Sequence, residues 1–240
     1  MIFGRRWLIA AVIAIAIAGA LWRLRDEAPM RRLATSVPAD VRFVTARMSG
    51  GFPWAPLADT ARNGDARDVR RMELMAAVGQ VVSELSEVEG SEARHAMAVA
   101  YFLGGEPASA IRRFDEVAEN QRGATYWSDL AAVRYTIATR DGSLEELQDA
   151  LTAADHALRL EPGLPEALFN RALILEQFHF RDSAAEAWKA YLATDDEGGW
   201  RAEARRRLEA LTRAIPVFAS EVERLYPALQ RGDREAAQTL

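Results

Sequence analysis

The side chains best suited to acid–base or metal chemistry at neutral pH are scarce and scattered in this chain. Three of its 240 residues are histidines, His95, His156 and His179, and each stands outside any H-E-x-x-H pair. There is no cysteine for a thiolate nucleophile or a zinc site, and no glycine-rich loop that could cradle a phosphate. The sequence therefore predicts no catalytic residue, no cofactor, no metal site and no small-molecule substrate. A helical hydrolase or lyase without a recognisable motif is the enzymatic alternative.

Charged residues are frequent, but their pattern favours solvation. The pair Glu145-Glu146 and the run Arg205-Arg206-Arg207 are typical of helix caps and wet helix faces. Residues 26–240 contain 26 basic and 35 acidic residues, which gives a net charge of −9. Because a nucleic-acid-binding domain usually carries the opposite balance, nucleic acid is not an expected partner.

A hydrophobic segment opens the chain. Residues 7–22 are 16 uncharged residues with tryptophan at both ends and arginines outside them, as in a membrane helix with an aromatic belt. A helix of this length spans about 24 Å against a hydrocarbon core of roughly 30 Å, so the flanking arginines must reach the interfaces. We expect residues 1–25 to form a single-pass membrane anchor. The alternative is a secretory signal peptide with an A-x-A cleavage site at residues 18–20.

Two rules disagree about which side of the membrane the rest of the chain occupies. Arginines after the hydrophobic segment outnumber those before it, which favours the cytoplasmic side. N-terminal anchors and signal peptides, however, ordinarily export the chain on their C-terminal side. We therefore expect the soluble part to be extracytoplasmic, with the cytoplasmic face as the alternative.

Residues 26–65 have the composition of a proline-punctuated linker. Residues 41–47 alternate as a short strand would, and Phe52, Trp54 and Leu57 are too apolar for a solvated tether. We expect this stretch to fold back over one end or the groove of the next domain; the alternative is a docking peptide for a partner. Four arginines of the linker are expected in solvent or against anionic lipid: Arg31, Arg32, Arg42 and Arg47.

Helical periodicity begins after the linker. A capping helix is predicted over residues 66–90, from Asp68 to about residue 88. Its predicted apolar face comprises Val69, Met72, Met75, Ala76, Gly79, Val82 and Leu85. Because that face needs a partner, we expect this helix to cover the first of the helical units after it.

Alanines then recur at long intervals. One set is Ala98, Ala131 and Ala172, and the other is Ala110, Ala150 and Ala184. The first set is spaced by 33 and 41 residues and the second by 40 and 34. Because two helices approach closely where small side chains lie at their crossing, this spacing predicts three two-helix units, at about 91–123, 124–164 and 165–198.

This recurrence resembles the tetratricopeptide repeat, a helix–turn–helix unit of 34 residues. Beyond the alanines, the matching positions are Trp127, Leu130, Pro162, Leu168 and Trp188. The middle copy is about seven residues longer, and we place the extra residues at its turn, around residues 139–143. The resemblance implies an all-α fold, a TPR-like α-solenoid of stacked helical hairpins. One N-terminal transmembrane helix and a partly extended linker precede it, and residues 199–240 form capping helices after it.

In this family the first helix of each unit lines a concave groove. By local resemblance the groove includes His95, Val99, Phe102, Ser128, Tyr135, Phe169, Leu173 and Glu176. It is apolar with scattered polar groups, and it lacks the Lys and Arg set with which some relatives clamp a terminal carboxylate. The expected partner is an extended or helical protein segment with apolar anchors, and the chain's own residues 52–54 are one candidate.

These features favour a membrane-tethered scaffold that mediates protein–protein interaction without catalysis. The hydrophobic helix, the arginine-rich linker and the degenerate repeats are also similar to the front part of bacterial proteins that end in a caspase-like CHAT protease domain. The alternative function is therefore the sensing or adaptor portion of such an effector. In that case we expect the natural chain to continue beyond Leu240, where the last residues have the pattern of a new helix.

Overall fold

The chain is all-helical in the part that the structure describes, as predicted. The structure is a computed structural model and describes residues 29–58, 64–117, 119–194 and 198–212, with nine α-helices and no strand in these ranges. The helices are α1 (Pro29–Ser36), α2 (Gly64–Leu85), α3 (Ser91–Leu103), α4 (Pro107–Asp115), α5 (Ala124–Asp141), α6 (Leu144–Leu160), α7 (Pro165–Gln177), α8 (Arg181–Leu192) and α9 (Gly199–Thr212). A short 3-10 turn spans Glu119–Gln121 between α4 and α5.

Local sequence signals place the helix ends. Helices α4 and α7 begin with Pro107 and Pro165, whose fixed φ and missing N–H suit the first helical turn. The hydroxyl of Ser143 caps α6 by accepting the N–H of Glu146 at 3.2 Å. Gly142 ends α5 with φ 67°, the left-handed conformation that glycine adopts most easily. Together these signals leave only Gly142 and Ser143 between α5 and α6.

Consecutive helices pair as three hairpins, α3/α4, α5/α6 and α7/α8. Each hairpin packs on the next through α4 with α5 and α6 with α7, and the first helices α3, α5 and α7 also touch in succession. Helix α9 packs on α8, and α1 and α2 pack on α3. The alanines that predicted the crossings are all completely buried: Ala98, Ala110, Ala131, Ala150, Ala172 and Ala184.

The extra residues of the middle hairpin lie on either side of its turn, as placed, but they lengthen the two helices instead of forming a longer loop. Helices α5 and α6 have 18 and 17 residues, whereas α7 and α8 have 13 and 12. Each helix of the middle hairpin is thus more than one turn longer than its counterpart. In a helix the backbone groups of the inserted residues are hydrogen-bonded to one another, whereas in a longer loop they would lack these partners.

The predicted apolar face of α2 was wrong over most of its length; of the predicted residues, Leu85 is buried and Val82 is partly buried. Its buried residues are Leu74, Val78, Val81 and Leu85. Val69, Met72 and Met75 are instead 48%, 63% and 41% exposed. Two apolar stripes with helical spacing share this helix, and α1 and α3 cover only the one that contains Leu74.

The N-terminal part of the linker contains a helix that its sequence pattern did not predict. Helix α1 inserts Leu33, which is fully buried, into the core beside α2 and α3. Within the described ranges no helix is both long and apolar enough to cross a bilayer. The predicted anchor at residues 7–22 and the end of the predicted C-terminal cap, residues 213–240, lie outside those ranges.

Candidate peptide-binding groove

Residues 41–58 form a loop that lies across the first helices of the hairpins, and we call them the resident loop. Its two ends meet at the parallel bridge between Arg42 and Leu57, where the Arg42 N–H donates to Pro56 O at 3.0 Å and Arg42 O accepts from the Ala58 N–H at 2.9 Å. This bridge is the only β-type pairing in the described residues, so the strand predicted over residues 41–47 is absent. The linker does fold back onto the helices, as expected.

Four polar side chains stand in a row along the helices, three of them in contact with this loop and the fourth, His95, in contact with Asp129, and we call them the polar row. They are His95 on α3, Asp129 on α5, Asn170 on α7 and Glu203 on α9. They recur at intervals of 34, 41 and 33 residues, close to the spacing of the buried alanines. Asp129, Asn170 and Glu203 are all buried. Buried polar groups need hydrogen-bond partners, and the resident loop supplies several of them.

Asn170 forms the central contact between the polar row and the resident loop. Its Oδ1 accepts the backbone N–H of Arg47 at 2.8 Å, and its Nδ2 donates to the backbone carbonyl of Arg47, also at 2.8 Å. Nδ2 lies 3.3 Å from the carbonyl oxygen of Ser128, which fixes the amide from the other side. One side chain thus pairs both main-chain groups of a single residue, as a neighbouring strand would. This contact depends on backbone position and not on the residue type at position 47.

Asp129 binds the resident loop two residues further on. One carboxylate oxygen accepts the backbone N–H of Ser49 at 2.7 Å, and the other accepts its hydroxyl at 2.5 Å. The second oxygen also lies 2.9 Å from Nε2 of His95. The carboxylate stands between the serine and the histidine, whereas in a hydrolytic triad the imidazole stands between the other two. The geometry therefore suits anchoring of the serine and does not activate its hydroxyl through His95.

The side chain of Arg47 is enclosed by groups from three helices. Its Nη1 donates to the hydroxyl of Tyr191 at 2.8 Å, and its Nη2 lies 3.7 Å from a carboxylate oxygen of Glu166. The guanidinium also lies over the ring of Trp200, 5.3 Å from the ring centroid. The Arg47 and Glu166 side chains are only 12% and 13% exposed. The expectation that Arg47 lies in solvent or on lipid was therefore wrong.

Arg42 is a second buried cation of the loop, so the same expectation was wrong for it. It forms an ion pair with Glu203 and donates from Nη1 to the carbonyl of Thr45 at 2.9 Å. Its guanidinium lies 4.6 Å from the centroid of Trp200. Burial lowers the pKa of Arg42, and the nearby Glu203 carboxylate opposes that shift. Because a buried cation needs a close anion, Glu203 ties this end of the loop to α9.

Apolar side chains complete the fit of the loop. Ala46, Met48 and Ala55 are buried, and Trp54 is partly buried, with its indole N–H donating to Glu203 at 3.1 Å. The ring of Trp54 lies directly on Gly199, where a Cβ atom would collide with it. The closest packing at this end of the groove therefore requires glycine at position 199.

The eight groove residues predicted from the sequence lie mostly beneath the loop, in the core. Val99, Phe102, Phe169 and Leu173 are buried, and Phe169 packs edge-on against three other aromatic rings. Glu176 accepts the indole N–H of a tryptophan on α8 at 2.5 Å. These five side chains are placed to support the groove from within the helical domain.

The other three predicted residues are His95, Ser128 and Tyr135. His95 belongs to the polar row, and Ser128 contacts the Asn170 amide through its main-chain oxygen. Tyr135 is partly buried, and this burial raises the pKa of its hydroxyl. The sequence reasoning missed Asp129, Asn170 and Glu203, although their recurrence at the repeat interval was a signal that could have identified them.

The remaining histidines show no sign of a reactive site. His156 stacks on Trp127 with ring centroids 4.3 Å apart, and burial together with Arg159 lowers its pKa. His179 lies in the turn between α7 and α8 with φ 59°. Across the part of the chain that the structure describes, no three His, Asp or Glu side chains are grouped so that they could bind a metal ion.

Comparison with known proteins adds no identification. No family model, no curated protein and no solved structure matches this chain. The resemblances to tetratricopeptide repeats and to the front part of CHAT-domain proteins therefore stay predictions, and the groove itself is the basis for inferring a function.

Proposed function

We propose that this chain is a non-catalytic scaffold that binds a protein segment across the first helices of its hairpins. The observation that supports the proposal best is the double hydrogen bond between the Asn170 side chain and the main chain of Arg47. A side chain that pairs both backbone groups of a visiting residue recognises an extended polypeptide. The adjacent bond from the Ser49 N–H to Asp129 continues this recognition along the chain.

The proposed architecture is a TPR-like α-solenoid. Its support is the order of contacts, in which three hairpins of consecutive helices pack one on the next. The polar row gives further support, because residues at corresponding positions of successive repeats line one groove in such arrays. We propose in addition that residues 7–22 tether this array to a membrane with the array on the extracytoplasmic side, on the strength of the sequence pattern alone.

The resident loop is part of this proposal, because a segment in cis competes with any partner in trans. A tethered segment acts at an effective concentration on the order of millimolar, so a partner of equal affinity must exceed that concentration to displace it. Loosening the loop should therefore expose the groove. Ser49→Ala removes a hydroxyl bond to a carboxylate, worth about 1.5–3 kcal/mol, and leaves the groove walls intact.

The test is binding of a fluorescent peptide that copies residues 41–58 to the full chain, measured by anisotropy. Ser49→Ala should raise the apparent affinity for this peptide roughly tenfold to a hundredfold over wild type. Adding Asn170→Ala to the same chain should abolish the gain. Gln177→Ala is the matched control, since Gln177 is exposed on the same helix. Equal peptide binding with and without Asn170, when fast exchange of the Arg47 amide shows that the resident loop is released in both chains, would refute the groove as the binding site.

A further inference from the structure

Besides its main-chain contacts, the resident loop places side chains in the groove, and these contacts indicate which side chains a bound segment should have. Three adjacent positions of the resident loop enter three different environments. Arg47 enters a pocket formed by Glu166, Tyr191 and Trp200, and the next residue, Met48, is buried. The hydroxyl of Ser49 then meets Asp129.

The pocket around Arg47 matches a guanidinium in shape as well as in charge. Tyr191 accepts one N–H, Glu166 supplies the negative charge, and the ring of Trp200 lies against the delocalised cation. A lysine ammonium could satisfy the charge but could not stack as a plane while donating in two directions. The pocket therefore favours arginine over lysine and disfavours a neutral side chain.

The position two residues later selects a small hydroxyl side chain. Asp129 accepts both the N–H and the hydroxyl of Ser49, and it is completely buried. Ser49 is itself buried, so a larger side chain would have to displace its neighbours, and an acidic one would face the carboxylate at close range. The arginine pocket lies on α7, α8 and α9 and the serine contact lies on α5, so Arg47 and Ser49 are read by separate groups.

The geometry points to a specific ligand class: the groove recognises an extended segment with the pattern arginine, apolar residue, serine, presented by a basic partner. This inference rests on the proposed function and names its ligand. Charge supports it independently, since residues 26–240 carry a net charge of −9 and the groove presents Asp129, Glu166 and Glu203. The resident loop is then the cis copy of that ligand.

The experiment uses the full chain with Ser49→Ala as host and four peptides that copy residues 41–58. The peptides carry the native sequence, Arg47→Gln, Arg47→Lys or Ser49→Ala. We expect the Arg47→Gln and Ser49→Ala peptides to bind at least tenfold more weakly than the native peptide, and the Arg47→Lys peptide to fall between. If the Ser49→Ala host does not fold, the same ratios are measured with millimolar peptide on the wild-type chain by NMR titration.

A substitution in the full chain tests whether Glu166 recognises the arginine side chain of the peptide or only stabilises the fold. Glu166→Gln removes the carboxylate of the arginine pocket, so it should shrink the difference between the native and Arg47→Gln peptides at least threefold. Glu209→Gln, at an exposed position on α9, is the charge-matched control and should leave that ratio unchanged.

The outcomes distinguish this inference from the proposed function. Equal binding of all four peptides, with Asn170 still required, would overturn the arginine–serine preference and leave the groove as a general peptide site. An unchanged ratio in Glu166→Gln would overturn the assigned arginine pocket. Absence of binding by every peptide would overturn the proposed function, and this inference with it.

Discussion

Replacing Asn170 by alanine removes the contact on which the groove geometry depends. The substitution takes away both hydrogen bonds between the Asn170 side chain and the Arg47 main chain, at a position where Asn170 itself is buried. Each buried main-chain group left without a partner costs about 1–3 kcal/mol. For two groups the expected loss is therefore roughly 2–6 kcal/mol in the free energy that holds the loop in place, and about half of that if water reaches one of them.

Native-state amide exchange measures this loss locally. A cost of about 2–6 kcal/mol corresponds to exchange of the Arg47 and Ser49 amides that is roughly 30-fold to 25,000-fold faster than in wild type. Amides in the middle of α5 and α6 should change much less, because the hairpins do not depend on this bond. Gln177→Ala on the same helix should leave all of these rates unchanged. Arg47 protection that differs by less than about 0.5 kcal/mol between Asn170→Ala and wild type would refute the reasoning.

Three further predictions concern the scaffold. Trp188 is fully buried against Phe169, so Trp188→Ala should lower the free energy of unfolding by about 3–5 kcal/mol in urea titrations; an unchanged midpoint would contradict its packing. On α2, Leu74→Ala should cost about 2–4 kcal/mol and Met72→Gln less than about 0.5, and the reverse order would mean that the other stripe is buried. Burial raises the pKa of Tyr126 and Tyr135 above the usual value of about 10, so their contribution to stability is present below pH 10 and is lost as the pH rises through the raised value. Thermal melts from pH 8 to 11 should therefore show a smaller loss in Tyr135→Phe than in wild type, and an equal loss would contradict this assignment.

The helical class could be predicted because the alanine spacing reports directly on helix crossings. A side chain larger than alanine at these completely buried positions would push the helices apart, so the constraint is visible in residue type alone. The position of the insertion could not be predicted in the same way. Both a longer turn and two longer helices keep the alanines at the same separations, and the sequence does not distinguish them.

The sequence shows the polar row only as a recurrence at the repeat interval, because the burial of its members is not visible in their residue types. An aspartate, an asparagine and a glutamate on helix faces are normally solvated, and nothing in Asp129, Asn170 or Glu203 alone indicates burial. The resident loop lies against all three, and that contact joins residues more than 75 positions apart. The sequence also did not show which side of α2 is buried, because Val69 and Leu74 both lie on apolar stripes with helical spacing.

The loop in the groove can be detected directly by NMR of the full chain. In a hydrogen bond, the donor nitrogen and the acceptor carbonyl carbon share a small scalar coupling, so the pairing of Arg47 with Asn170 has a specific signature. We predict a coupling from the Arg47 backbone nitrogen to the Asn170 side-chain carbonyl, and a second from the Asn170 side-chain nitrogen to the Arg47 carbonyl. Absence of both, with an Arg47 amide that exchanges as fast as in an unstructured peptide, would contradict the proposed seating of the loop.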